Sequence, residues 1–435
     1  MAGPSGSAIF LPAPSAGGDD ATGGTRHAAP IAPARGPRLS RNVALYPWYR
    51  FFAGLLFWQA IWFLYIQGEL SAAEAILTYA IFDVATTVLE VPSGWLSDRW
   101  GRRRTLVVAA LAGVATATMQ AAGGPFWWFA LAQGLLAVQV AFASGTDSSI
   151  LYESLLATGR EDEIERHELR GWRAGFAALA LSALAGGALA RFDLAWPYWA
   201  SAAAFAALLA VTLLLEEPAR AVDDPTGPGP LPLLAGAIRQ PVLLWLSALA
   251  VAMYAFSHVP FVFGQPFIER SLAGTPLASE TPLVSGAITA AMMSLSLAVS
   301  LLAPRLRAAV GLAAMLLGAF ALQLALPAAL AIATGPLAVL LLLGRMVPDA
   351  LARPFLVARI QPLLPSGGRA TYLSLQSLTG RLFFAATLWI AAGSTSAAGQ
   401  MPEADVRAIM AAYAGGGVLI LATLALLSRR LPIAS

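Results

Sequence analysis

Residues Leu89–Thr105, LEVPSGWLSDRWGRRRT, decide how the rest of the chain reads. An apolar run long enough to cross a bilayer comes before this stretch, and another follows it. Between the two stand Asp98 and four arginines, Arg99, Arg102, Arg103 and Arg104. A short, strongly basic turn between two spans belongs on the cytoplasmic side, because cytoplasmic loops retain arginine and lysine. Every other apolar run can then be oriented by counting outward.

Composition agrees. Of the 435 residues, 58% are hydrophobic and 12% charged, against about 25% charged in an ordinary soluble domain. The apolar residues fall into long runs, the pattern of membrane spans rather than of a soluble core. All 27 basic residues are arginine. They do not cluster with aromatics on one face, so no nucleic-acid partner is expected. The absence of cysteine excludes disulfides and thiolate chemistry. His27, His167 and His258 lack any ligand spacing, so no metal and no cofactor is expected. Without lysine there is no phosphate-binding loop of the G-x-x-x-x-G-K-[ST] type. No catalytic set is evident either, so the chain does not read as an enzyme.

Twelve spans are expected, near 45–67, 73–96, 105–122, 126–155, 172–189, 196–215, 242–263, 283–302, 309–330, 337–356, 370–392 and 406–427. Residues 1–40 read as a disordered cytoplasmic tail, too poor in apolar side chains to fold and without the pattern of a signal peptide. Residues 41–215 form a first six-span lobe, 216–240 a polar linker beginning EEPARAVDDPTGPGP, and 241–430 a second six-span lobe. The arginines support this count. With both termini inside, only Arg191, Arg270 and Arg407 fall in outer segments. LLAPRLRAAVG, at the end of span 8, echoes LSDRWGRRRTL at the matching place in the first half. Two similar halves point to a central site between them.

GWLSDRWGRR, from Gly94 to Arg103, resembles the loop 2–3 signature of the major facilitator superfamily, Gly-x-x-x-Asp-Arg-x-Gly-Arg-Arg, at every defining position. The resemblance implies an all-α membrane protein of twelve transmembrane helices in two pseudo-symmetric lobes. It also implies a secondary transporter working by alternating access. FASGTDSSILYESL, at the end of span 4, is similar to bacterial multidrug-type and siderophore-type exporters. Proton-coupled export of a small organic molecule from the cell (inner) membrane follows as the expected function, by a monomer in a lipid bilayer. The alternatives are an importer of a polar nutrient or organic anion, and a transport-inactive membrane sensor. The chain departs from the drug–proton antiporter pattern twice. Span 4 has Gln133 and no arginine, and span 5 keeps Gly186 and Gly187 without proline.

The resemblance makes Gly94, Asp98, Arg99, Gly101, Arg102 and Arg103 a gating motif, with Asp98 meeting the start of span 11 near residues 369–372 when the cytoplasmic side is closed. A carboxylate at a helix N-terminus is worth about 0.3–2 kcal/mol. Arg104 reads as a topology determinant only. Ionisable groups within spans are functional candidates by default. Asp83, Glu90, Asp147, Glu153 and Arg50 are the candidates for proton or ion coupling. These acids outnumber Arg50, which leaves one able to carry a proton. Asp83, at mid-depth with no evident partner, is the foremost; Arg50 can pair with Glu90 or Asp147. Trp62, Gln139, His258, Arg345, Asp349 and Arg381 are the solute-binding candidates. Arg345 and Asp349 stand four residues apart, hence on one helix face. Their pairing leaves Arg381 to an anionic solute or to an acid of the first half. Trp58, Trp62 and Tyr65, and Tyr254, His258 and Phe261, form aromatic stripes suited either to a flat solute or to the lipid interface.

Overall fold

The first long helix shows why these segments fold where they do. Ser71 caps it, its Oγ accepting from the Glu74 N–H while the Glu74 carboxylate accepts from the Ser71 N–H. This reciprocal box satisfies donors that a helix start otherwise leaves open. The structure is a computed structural model, which describes residues 36–218, 235–236, 239–272, 281–332, 336–364, 368–393 and 403–433. The expected tail before Gly36 and most of the expected linker lie outside the described residues.

The helices are α1 (Gly36–Ala53), α2 (Trp62–Glu69), α3 (Ala72–Trp100), α4 (Arg102–Ala122), α5 (Phe126–Ala143), α6 (Thr146–Leu156), α7 (Ile164–Leu189) and α8 (Trp196–Leu214) in the first half. The second half has α9 (Pro241–Leu272), α10 (Thr281–Val310), α11 (Leu312–Leu330), α12 (Pro336–Leu343), α13 (Val347–Ile360), α14 (Arg369–Gly393) and α15 (Glu403–Ser428). Among the described residues, eight helices are long and apolar enough to cross a membrane. Each expected span coincides with one helix or with a broken pair.

Four expectations need correction. Residues 36–40 are helical, so α1 starts within the expected tail. Span 1 is broken: α1 ends at Ala53, a 3₁₀ turn covers Phe57–Ala60, and α2 resumes at Trp62. Span 4 breaks between α5 and α6, where Ser144 and Gly145 leave helical geometry. Span 10 breaks at 344–346, between α12 and α13. Hydropathy sees none of these breaks, because the apolar run continues through them.

Across the two halves, α7 lies along α10 and α3 along α14. Within the halves, α4 packs on α5 and α8, and α11 on α15. Apolar clusters hold each half, one around Leu106, Phe205 and Leu208, another around Leu246, Phe320 and Phe355. The arginine-rich turn and the starts of α7 and α14 share one end of the bundle, called here the arginine end.

Candidate functional site

At the arginine end, α3 passes to α4 through Gly101 alone. Its φ of 115° is a conformation that side chains disfavour. The turn is also covered. Glu217 accepts from the Arg102 N–H at 2.7 Å and the Arg103 N–H at 2.9 Å, placing a carboxylate on the N-terminus of α4. A Cβ on Gly101 would sit 2.7 Å from that carboxylate.

Within the last turn of α3, Asp98 turns toward the second half. It accepts from the Thr371 N–H at 2.9 Å, the Ala370 N–H at 3.4 Å and the Thr371 hydroxyl, all at the start of α14. It also pairs with Arg102, and both side chains are only 4% exposed. Arg102 continues to Glu153 on α6 at 2.8 Å, and Glu153 lies 3.7 Å from Arg369 of α14. The guanidinium of Arg369 stands over the Tyr152 ring at 4.6 Å. Gly94, one turn earlier, lets the helices touch: a Cβ there would lie 2.6 Å from Ser374 Oγ and 2.8 Å from the Ala370 carbonyl. Gly94, Asp98 and Arg102 thus meet one buried ionic network that crosses the halves. Arg99 instead lies over Trp95, and Arg103 donates to the Leu213 carbonyl at 2.7 Å.

Further inside lies a cavity of about 480 Å³. Its walls come from α1, the α5–α6 break, α7, α9, α13 and α14. Arg50 and Asp147 line it as an ion pair 2.6 Å apart, and the Arg50 guanidinium also covers the Trp172 ring at 4.9 Å. On the opposite half, Tyr254 and Arg353 line it, with Gln139, Gln376 and Ser377 completing the polar surface. Arg353 pairs with Asp349 at 3.0 Å. The breaks in spans 1 and 4 position these groups, since α1 ends and α6 begins where Arg50 and Asp147 meet.

The family model described as Major Facilitator Superfamily matches residues 48–388. The chain belongs to the major facilitator superfamily. A search of curated proteins gives no match. Among solved structures, a bacterial homologue of the iron transporter ferroportin, in an outward-facing state, superposes with a TM-score of 0.63 at 14% identity, covering 90% of this chain and 99% of that one. The nucleoside transporter NupG gives 0.61 at 15% identity, covering 89% and 99%. The human organic anion transporter MFSD10 gives 0.60 at 17% identity, covering 91% and 100%. At these identities the likeness is one of fold. The chain is an all-α membrane protein with the superfamily's fold.

Seen as a superfamily member, the chain distributes its candidate residues unevenly. Of the solute-binding candidates, Gln139 lines the cavity, and Asp349 reaches it through Arg353. Arg345 is not on one helix face with Asp349, because it falls in the break between α12 and α13. Arg353, not among the candidates, is the residue that pairs with Asp349 in α13. Asp83 does have a partner: it is exposed and 3.4 Å from Arg381, whose guanidinium lies 5.9 Å from the Tyr254 ring. Glu90 is fully buried and accepts from the Ser144 hydroxyl at 2.8 Å. Its second oxygen has no hydrogen-bond partner among the described residues. Trp62 stacks on Tyr79, 5.5 Å away, and His258 donates from Nδ1 to the Tyr254 carbonyl at 2.8 Å. Neither lines the cavity.

Sequence reasoning passed over Glu217, because it opens a polar stretch read as linker. It also passed over Glu168, because the run EDEIERHELR reads as a solvated loop. In the structure α7 starts at Ile164 and Glu168 is fully buried. Spacing held the signal: Glu168, Gly171 and Gly175 share a helix face directed at α1.

Proposed function

We propose that this protein is a secondary active transporter of the cell (inner) membrane, with both termini cytoplasmic, that exports a small organic molecule in exchange for protons. One observation carries the reading: a polar and aromatic cavity between the halves is sealed at the arginine end by a buried, cross-half ionic network. A site that opens to one side at a time needs such a reversible closure. Asp98 is then the latch, holding the cytoplasmic side shut through the start of α14. Gly94, Arg102 and Arg103 shape it, and Gly101 makes the turn. The cavity carries a guanidinium–carboxylate pair and the aromatic faces of Trp172 and Tyr254, which suits an amphiphilic aromatic solute. Glu90, buried and without an ion pair among the described residues, is a natural proton carrier.

The test is reconstitution of the full chain into vesicles of defined orientation. The labelled solutes are compounds to which a deletion strain becomes sensitive. Extrusion accelerated by an imposed pH gradient, and lost in Asp98→Asn with the protein still folded, supports the reading. Gradient-driven uptake instead, or an Asp98→Asn protein with undiminished turnover, overturns it.

A further inference from the structure

Below the cavity, toward the arginine end, three charged side chains share one buried pocket of the first half. Arg50 of α1 and Asp147 of α6 make the ion pair that lines the cavity. Glu168 of α7 lies behind them with no exposed surface. Its Oε2 accepts from the Tyr46 hydroxyl at 3.1 Å. Its Oε1 makes no hydrogen bond among the described residues, although the Ser148 hydroxyl is near. Tyr46 stands one helical turn before Arg50, so a short path runs from Glu168 through Tyr46 and Arg50 to the solute cavity.

The charge count decides what Glu168 can be. One guanidinium cannot neutralise two carboxylates, and Asp147 holds it at 2.6 Å. Most other charged groups on α7 and the elements packed against it have partners of their own: Arg38 and Arg41 of α1 face Glu216, Arg166 faces Glu163, and Arg173 donates to the Ser300 carbonyl. Arg353 of α13 is paired with Asp349, Arg359 donates to the Ile433 carbonyl at 3.1 Å, and Arg307 of α10 is paired with Glu165 at 2.9 Å. On α7 itself, His167 faces Glu163 at 3.3 Å. An ionised Glu168 would therefore be a buried charge without a counter-ion of its own, which the low-dielectric interior penalises. A protonated Glu168 is neutral and keeps its Tyr46 hydrogen bond.

We propose that Glu168 binds a coupling proton, and that its charge state is passed to the cavity by competition with Asp147 for Arg50. With the proton bound, Arg50 stays with Asp147. When the proton leaves, the new carboxylate draws Arg50 away, and the Asp147 carboxylate is released toward the solute. Bound proton and released Asp147 thus exclude one another, which is the relation an antiporter requires. This inference rests on the proton-coupling reading above and adds a site to it.

The experiment follows the carboxylic-acid carbonyl band in infrared difference spectra of the purified full chain, stepped between alkaline and acidic buffer. The wild type shows a band gained on acidification. The expected result is loss of that component in Glu168→Gln and its retention in Glu90→Gln. In Asp147→Asn, Arg50 is free to hold Glu168 ionised, and the same component disappears at neutral pH. Glu168→Gln mimics the protonated residue, so it should fold, and Glu168→Asp should restore a titrating band. The chain has no cysteine, so a Leu156→Cys, Leu306→Cys pair, both exposed, can carry spin labels on the two halves in the same preparations. A label distance that shifts with pH in the wild type and not in Glu168→Gln supports the proposal. A wild-type distance indifferent to pH sinks the proton coupling itself. A wild-type shift that survives in Glu168→Gln, or a band unchanged by that substitution, sinks the assignment to Glu168 alone.

Discussion

Two turns at equivalent places in the two halves hold the opposite half in different ways. In each, a long helix passes to the next through one glycine at positive φ, Gly101 after α3 and Gly311 after α10. This places Gly311, not Leu306, opposite Gly101 and shifts the register of the sequence echo. Counting back from the glycines then sets Ala308 against Asp98 and Pro304 against Gly94. The first turn therefore reaches across with a buried carboxylate on a helix start, and Glu217 covers it. The second turn reaches across with Arg307, paired to Glu165 at 2.9 Å with side chains 38% and 30% exposed. Beside it, Arg173 donates to the Ser300 carbonyl at 2.8 Å. The same backbone device thus carries two contacts of unlike strength. Burial, more than the number of charges, sets how much each can bias an equilibrium between states.

Asp98→Asn is the most direct way to break the stronger contact. Losing one partner of a buried pair costs about 3–5 kcal/mol. Arg102 keeps Glu153, so the expected loss is about 2–3 kcal/mol, a fall of about 30- to 150-fold in the closed-to-open ratio. The spin-label pair at positions 156 and 306 should widen, and turnover should fall by at least an order of magnitude. An unchanged distance would mean that the network decorates the closed state without holding it.

Gly94→Ala attacks the same contact by crowding. The added methyl meets Ser374 Oγ and the Ala370 carbonyl, and overpacking of this kind costs about 1–3 kcal/mol. The expected change is about tenfold in the same distance assay. Adding Ser374→Ala should recover part of it, because the hydroxyl yields and the carbonyl does not. Full recovery would show that backbone approach is not what limits the interface.

How much of this was legible beforehand depends on the kind of signal. Gly94, Asp98 and Arg102 stand in the motif that resembles the superfamily signature, and that resemblance pointed Asp98 at residues 369–372. The spans followed from hydropathy, which averages over many residues and is therefore robust. The breaks at Gly54, Gly145 and Gly344 were not legible, because a membrane span tolerates glycine without interrupting its apolar run. They matter, since they carry Arg50 to Asp147 and take Arg345 out of the helix that holds Asp349. Glu168 was missed for the opposite reason. Charged neighbours on the solvated side of α7 hid one residue on the buried side, and only helical spacing separates the two.

Glu217→Gln tests whether the cover over the first turn contributes to its strength. The substitution leaves one amide oxygen to accept from one of the two N–H groups, puts a donor in place of the other oxygen, and removes the negative charge from the α4 N-terminus. That charge is worth about 0.3–1 kcal/mol where partly exposed, so the closed-to-open ratio should fall by about two- to fivefold. A change as large as that of Asp98→Asn would make the start of the linker part of the latch.

Glu165→Gln should have the smallest effect, and its smallness is the informative part. A half-exposed ion pair contributes about 0–1 kcal/mol, screened by salt. The spin-label distance and turnover should change by less than about fivefold, and raising the salt concentration in the wild type should reproduce most of that change. Asp98→Asn should be far less sensitive to salt, since its partners are shielded from water. If Glu165→Gln instead matched Asp98→Asn, the second turn would be a latch of equal rank. Burial would then not be what separates the halves' contributions.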